Sequence, residues 1–385
     1  MPALEERPDS ALAARLDPII DTALAEGRLA GAVVLAARDG AVAYARAAGH
    51  ADLETGQPMR RDAIFRASSL TKPIVTAAFL SLVESEVMGL DDPVTRWLPD
   101  FQPRWEKQAP TITLRQLVTH TAGLSYGFMQ PEGGPYLKLK VSDGMDQPGL
   151  SFAENLGRIT EAGLFFPPGA AWLYSVGLDV LGAAIEEATG RTLGEVVAER
   201  VTKKLGMADS GFAVADRARL ARAYADGPPP RPMGETFTAP FFELSGIRFA
   251  PDRIFDPGSF PSGGAGMVCS APDFLTFLEA IRTGGGTVVS RDTAEAMMTN
   301  QTGDRAIVTN GPGFGFGFGG AVVLDPAASG SALSSGSWLW GGVYGHTWFV
   351  DPVTKTSFVL MTNTSTEGMS GQLSRDLVAA AARAA

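Results

Sequence analysis

Between Leu70 and Val87 the chain is apolar on nearly every side of a helical wheel: Leu70, Ile74, Val75, Ala77, Ala78, Phe79, Leu80, Leu82 and Val83 leave no polar face. A helix of that kind has to lie at the centre of a globular unit, with the rest of the chain wrapped round it. Pro73 fits its first turn and Gly89 can end it. The helix opens with Ser69-Leu70-Thr71-Lys72, which sets a hydroxyl and an amine three residues apart, on one face. The amine can reach the hydroxyl, take its proton and turn a weak nucleophile into a strong one. Free N–H groups and the positive end of the helix dipole also point toward Ser69. Alone, the same spacing is that of a serine near a helix start with a solvated lysine one turn on, so the rest of the chain has to decide.

The flanking segments predict how that helix is enclosed. Leu12, Leu16, Ile19, Ile20, Ala23 and Leu24 recur at helical spacing from about Ser10 to Glu26. Asp39-Gly40 then separates two apolar runs, 32–36 and 41–45, which is a strong hairpin signal. Residues 90–264 read as helices and long loops, with helices over 113–120, 180–188 (closed by Gly190) and 193–205, and an irregular loop at Gly227-Pro228-Pro229-Pro230-Arg231-Pro232. A helix follows Ala271-Pro272-Asp273 to about Ile281 and is broken by Gly284-Gly285-Gly286. The last third returns to strands at 313–318, with three Phe on one face, and at 321–324, 337–343, 347–350 and 357–361, before a helix over 372–384. Strands at both ends with helices between them predict an α/β unit built from residues 1–90 and 265–385, and a mainly helical unit, 91–264, inserted in its middle.

Composition narrows the class. In 385 residues, 45% are hydrophobic and 19% charged, as in a globular enzyme. A net charge of −10 argues against nucleic acid or an anionic membrane as partner, since both demand basic patches. No apolar run approaches the roughly 18 residues that span a bilayer. Met1-Pro2-Ala3-Leu4-Glu5-Glu6-Arg7-Pro8 has neither a basic nor an apolar signal region, so a cytoplasmic location is the expectation. The lone Cys269 has no metal-ligand neighbours and reads as a buried structural thiol. His50, His120 and His346 form no pair with metal-site spacing, and neither a metal nor an organic cofactor is expected.

Several segments raise the odds on Ser69. In order they are Phe65-Arg66-Ala67-Ser68-Ser69-Leu70-Thr71-Lys72-Pro73, His120-Thr121-Ala122-Gly123-Leu124, Pro168-Gly169 leading to Trp172-Leu173-Tyr174-Ser175, Leu205-Gly206-Met207, Gly263-Gly264-Ala265-Gly266-Met267, and Trp340-Gly341-Gly342-Val343-Tyr344-Gly345-His346-Thr347-Trp348. Together, over about residues 15–380, they resemble the class C β-lactamases and the serine esterases that share their fold. The resemblance implies a β-lactamase/penicillin-binding-protein-like α/β fold, an antiparallel sheet flanked by helices with an inserted helical domain. It puts Tyr174 at the tyrosine of the family's Y-x-N motif, and so implies Ser69, Lys72 and Tyr174 as catalytic residues. It implies an oxyanion hole made by the backbone N–H groups of Ser69 and Val343.

The departures from the family pattern bear on substrate. Val176 stands where Y-x-N has its Asn, which removes an amide able to bond a β-lactam side-chain carbonyl. Trp340-Gly341-Gly342 stands where the family has K-T-G, which removes a cation for a substrate carboxylate and puts apolar indole there. W-x-G at this place resembles the family VIII carboxylesterases. That likeness implies substrate contacts from Trp340, Gly341 and Gly342, and a tyrosine, Tyr126, at the site mouth. For Tyr126 a ring packing on substrate and a ring packing between the lobes are both open. Asp179 is expected to cap or orient the following helix. The expected activity is that of a serine carboxylesterase acting on small, neutral, short-chain esters through an acyl-enzyme on Ser69. A weak β-lactamase, a D-amino-acid peptidase or an acyltransferase of the same fold are the alternatives within the enzyme class. A non-catalytic ligand-binding relative has no reason to keep Ser69, Lys72 and Tyr174 together.

Three other motifs are set aside. Gly123-Leu124-Ser125-Tyr126-Gly127 matches G-x-S-x-G, with His346 available on paper to complete a triad, but that elbow needs a strand before its serine and a helix precedes it here. Gly315-Phe316-Gly317-Phe318-Gly319-Gly320 matches G-x-G-x-x-G but runs into a strand rather than a helix, against dinucleotide binding. Lys355-Thr356-Ser357 lies in a turn and reads as a solvated lysine. His346, between two strands, reads as structural.

Overall fold

In the computed structural model, residues 4–383 are described; Met1-Pro2-Ala3 and the expected helix end at Ala384 lie outside them. The all-apolar segment is the central helix, Thr71–Glu84, and every residue from Thr71 to Leu82 is buried. It stops at Ser85 rather than Val87, where the Ser85 hydroxyl donates to the Ser81 carbonyl at 2.9 Å and Glu86 turns into the left-handed region.

The hairpin at Asp39-Gly40 joins strands Gly31–Arg38 and Ala41–Asp52. They enter a nine-stranded sheet. Beside Gly31–Arg38 lie, in turn, Thr356–Thr362, His346–Asp351, Trp338–Gly342, Ala321–Val323 and Phe314–Phe316, each antiparallel to its neighbour. The sheet is not wholly antiparallel as expected: the two-residue strand Glu5–Glu6 runs parallel to Ala41–Asp52 at the edge. Three residues, Arg7-Pro8-Asp9, join that strand to the Ser10–Ala25 helix.

Alternation of side chains across the strands divides the core in two. One face (Val34, Ala36, Phe349, Phe358, Leu360) is covered by Leu12, Leu16 and Ile20 of the Ser10–Ala25 helix and by Leu373 and Leu377 of the Gln372–Ala382 helix. The other (Val33, Leu35, Trp348, Val359, Met361) meets the central helix and Phe274, Phe277 and Leu278 of the Ala271–Arg282 helix. Each buried side chain of this size contributes roughly 1.5–3 kcal/mol, so these two apolar layers are what hold the helices on the faces of the sheet.

Residues 91–264 hold the three expected helices, with a further one, Phe152–Ala162, that was not expected, and with two more differences. The 193–205 segment is a helix interrupted by a wide turn at Ala198–Thr202. Two small ribbons also form, Tyr224–Ala225 with Arg231–Pro232 and Phe237–Ala239 with Ile247–Phe249. Strands of two or three residues are too short for a periodic signal. Among the described residues no helix is long and apolar enough to cross a membrane, and no group of three or more His, Cys, Asp or Glu could hold a metal ion. Cys269 is buried against the Ser210 hydroxyl.

Candidate active site

The short strand Ile64–Arg66 pairs with Val268–Ser270, and the Ala67 N–H donates to the Met267 carbonyl at 2.9 Å. This tie brings the Gly263–Met267 segment against the start of the central helix. Ser69 does not sit in the α-helix itself. It lies in a tight 3₁₀ turn, Ser68–Leu70, just before it. Ser68 has φ of 43°, in the left-handed region, which for a non-glycine residue costs on the order of 1–3 kcal/mol and is seen at sites where geometry matters more than comfort. Its hydroxyl accepts from the Tyr344 N–H at 3.4 Å.

Two side chains converge on the Ser69 hydroxyl, and a third reaches it through one of them. The Lys72 ammonium donates to Ser69 Oγ at 3.1 Å and to the Gly264 carbonyl at 2.8 Å. The Tyr174 hydroxyl donates to Ser69 Oγ at 2.8 Å. The Trp340 indole N–H donates in turn to Tyr174 Oη at 3.1 Å. Lys72 is only 1% exposed, and its Nζ lies 4.6 Å from the Tyr174 ring centre and 5.2 Å from that of Tyr126. Two π faces, a carbonyl and a hydroxyl thus replace the water that a buried ammonium gives up.

Asp179 corrects an expectation. It does not cap its helix. Its carboxylate accepts from the Ser262 hydroxyl at 2.5 Å and the Gly264 N–H at 3.1 Å, so it clamps the loop whose carbonyl holds Lys72. Burial pushes the Asp179 carboxyl up from its ordinary value, opposed by those two hydrogen bonds and by Lys72 and Arg253 nearby. Gly264 allows this close approach: a Cβ there would lie 2.7 Å from Tyr126 Oη and 3.2 Å from Asp179 Oδ2.

Tyr126 is not at a mouth. It is 2% exposed, stacked on Phe128 at 4.8 Å and tilted against Tyr174 at 4.9 Å, behind Lys72. Its hydroxyl has no partner among the described residues. Trp340 stands half-buried with Phe316 edge-on at 5.3 Å. Strand alternation puts Gly342 on the same face as Trp340, where a Cβ would come 2.5 Å from Ser68 Oγ. Gly342 therefore lets the strand press against the nucleophile's turn. Gly341 faces the other way: a Cβ there would meet Met369 and the His346 carbonyl rather than the Ser69 turn. At the strand's end the Ser365 hydroxyl donates to the Val343 carbonyl at 2.9 Å, and the residues on either side of Val343, Gly342 and Tyr344, both lie against the Ser68 hydroxyl.

The set-aside residues are occupied elsewhere. The Ser125 hydroxyl donates to the Tyr126 carbonyl at 3.0 Å. His346 Nε2 lies 2.8 Å from the Arg66 carbonyl, and burial depresses its imidazole to about 4, so it is neutral at pH 7. His120 sits beside the Tyr174 ring at 4.9 Å and near the Ser175 hydroxyl at 3.1 Å; burial first, then Lys72, pushes its pKa down. Lys355 is solvated and lies 3.4 Å from Asp39. Sequence reasoning missed Ser68, Ser262 and the clamping role of Asp179. The Ser68-Ser69 doublet and the Gly263-Gly264-Ala265-Gly266 run were the available signals.

A buried lysine and a tyrosine sharing one serine hydroxyl can remove its proton and pass it on, which is the requirement of acyl transfer. Known proteins resemble this chain over nearly its whole length. Esterase EstB of Burkholderia gladioli is 49% identical over 94% of this chain and 93% of its own length. The solved structure of EstCE1, described as a hydrolase with promiscuous acyltransferase activity, superposes with a TM-score of 0.92 at 41% identity, covering 97% of this chain and 99% of that one. The unliganded simvastatin synthase LovD of Aspergillus terreus shares the fold, with a TM-score of 0.75 at 23% identity over 96% and 98% of the two chains. The profile described as Beta-lactamase matches residues 16–383, and the chain belongs to that family of serine hydrolases.

Proposed function

We propose that the chain is a carboxylesterase of the family VIII kind, acting on neutral esters with short acyl groups. In this reading one member of the Lys72–Tyr174 pair is deprotonated, as amine or phenolate, and takes the Ser69 proton as Ser69 Oγ attacks the ester carbonyl. The backbone N–H groups of Ser69 and Val343 receive the oxyanion. The C–O bond breaks as Tyr174 returns a proton to the departing alcohol, leaving an acyl-enzyme on Ser69. Water then gives a proton to the same pair and attacks the acyl carbon; the acyl–Oγ bond breaks as the pair returns that proton to Ser69, and the acid leaves.

One observation carries the reading: the Trp340 N–H bonds Tyr174 Oη at 3.1 Å from the position where the family's K-T-G has a cation. Trp340 can orient the phenol as a neutral donor, but it offers a substrate carboxylate no charge. Val176 likewise offers no amide. A carboxylate left unpaired in a partly dry pocket costs on the order of 1–3 kcal/mol or more, about 10- to 100-fold in rate. Penicillins are therefore expected to be hydrolysed negligibly and activated cephalosporins slowly at most. The check compares kcat/KM for an aryl butyrate and a chromogenic cephalosporin on one preparation. A cephalosporin value equal to or above the ester value makes β-lactamase the primary function.

Acyl transfer is a second reading, favoured by the likeness to EstCE1. It uses the same acyl-enzyme with an alcohol in place of water in the second step.

A further inference from the structure

Two arginines share one cavity, and the fold gives neither a close counter-charge. Arg253 is 7% exposed. Its Nε donates to the Asp146 carbonyl at 3.1 Å and its Nη2 to the Phe260 carbonyl at 2.8 Å. Both acceptors are neutral, and among the described residues Arg253 forms no ion pair. The Asp146 carboxylate lies against Arg248 at 3.4 Å instead, and that of Asp179 accepts from Ser262 and Gly264. Arg66, with 11% of its side chain exposed, is placed likewise. Its Nε donates to the Pro251 carbonyl at 2.7 Å and its Nη1 to the Ala221 carbonyl at 3.1 Å. Its one ion pair among the described residues reaches 4.0 Å, to Asp252, whose side chain is 78% exposed.

Both guanidiniums and the Tyr344 ring line a cavity of about 30 Å³, and no acidic side chain lines it. Nη2 of Arg66 and Nη1 of Arg253 have no hydrogen bond among the described residues. Nor does the hydroxyl of Tyr344, a residue 7% exposed whose backbone N–H is the group that bonds Ser68. Burial pushes that phenol up to about 12 and the two guanidiniums pull against it, so at neutral pH it keeps its proton and can donate. Burial also pulls both guanidiniums below their ordinary values, yet an arginine does not give up its proton in a protein. The cavity thus collects two positive charges and three groups able to donate, with no carboxylate in its wall. Buried charges in folded proteins are paired, because an unpaired one is expensive to keep from water. A water-sized sphere needs about 10–15 Å³ of such space, so the cavity suits an ion of one or a few atoms rather than an organic molecule.

We infer that Arg66, Arg253 and Tyr344 form a binding site for a small monovalent anion such as chloride, which supplies the counter-charge the two arginines lack. Ser69, Lys72 and Tyr174 do not line it, so the anion takes no part in the acyl chemistry. Its walls nevertheless come from three segments that meet round the nucleophile's turn: Arg66 from the strand leading into it, Gly266 and Met267 from the segment paired to Ala67, and Tyr344, whose N–H donates to Ser68 Oγ at 3.4 Å. These segments lie far apart in the chain and come together only on folding. The anion therefore binds the folded state alone and stabilises it by mass action.

The test is thermal unfolding at constant ionic strength, with sodium chloride replacing sodium gluconate step by step. Wild-type Tm rises saturably with chloride, by about 2 °C or more. Tyr344→Phe keeps the ring and removes one donor, so the chloride midpoint moves up by about 10-fold, the scale of a hydrogen bond to a charged group. Crystals of the wild-type protein soaked in bromide give an independent readout that needs no variant. An anomalous peak is expected between the two guanidiniums and Tyr344 Oη. A Tm indifferent to chloride at fixed ionic strength overturns the site, as does a chloride midpoint unchanged in Tyr344→Phe. Bromide peaks confined to the protein surface overturn it as well.

Discussion

Lys72→Ala and Tyr174→Phe each lower kcat on an aryl butyrate by at least about 10²-fold, the low end for groups that move a proton in the transition state. The two donate to the same oxygen, Ser69 Oγ, at 3.1 and 2.8 Å. Removing either leaves the hydroxyl without a complete route for its proton. The double variant is therefore little worse than either single one, as for residues that act as a unit. Tyr174→Phe also strips the Trp340 N–H of its acceptor. A Tyr174→Phe variant with wild-type kcat on a short-chain ester would remove Tyr174 from the mechanism.

Gly264→Ala is expected to cost about 10- to 100-fold in kcat/KM, along with several degrees of Tm. Its Cβ would meet Tyr126 Oη at 2.7 Å, and that hydroxyl is the end of a rigid buried ring. Overpacking of this kind costs typically 1–3 kcal/mol. The loop relaxes by carrying the Gly264 carbonyl away from Lys72, and a shift near 1 Å at such a site can cost 10²-fold in rate. Tyr126→Phe removes the obstructing oxygen, whose loss leaves no partner unpaired among the described residues. The double variant Gly264→Ala/Tyr126→Phe therefore regains part of the activity, a non-additive result of direct contact. Activity and Tm measured on the four proteins of that cycle decide the matter. Strict additivity would mean that Gly264 acts elsewhere than through Tyr126.

What could be read from the sequence follows from range. The central helix announced itself because an all-round apolar wheel has one physical solution. The Asp39-Gly40 hairpin, the strands expected at 337–343, 347–350 and 357–361, and the turn lysine at 355 were local patterns, and each is found, the strands as Trp338–Gly342, His346–Asp351 and Thr356–Thr362. Ser69, Lys72 and Tyr174 were reached through spacing and an ordered set of motifs, and the structure brings the three together. What stayed hidden was set by contacts distant in the chain. Asp179 clamps Ser262 and Gly264, more than eighty positions away, and no local pattern marks an aspartate for that work. The left-handed Ser68 depends on the Gly342 strand pressing on it. The motif alone does not say which face the site occupies: a one-residue step along the strand reverses the face, so Gly341 points away from the face that Trp340 and Gly342 share. Tyr126 was placed by likeness at a mouth, whereas its burial comes from Phe128 and Tyr174 packing on both sides.

The central claim is that Ser69 is the nucleophile. Exposure of the protein to an aryl phosphonate ester, followed by intact mass and peptide mapping, tests it most directly. The account predicts one adduct per chain, on the peptide containing Ser69, and none in Lys72→Ala on the same timescale. An adduct on Ser125 would contradict it and assign the chemistry to the Gly123–Gly127 segment instead.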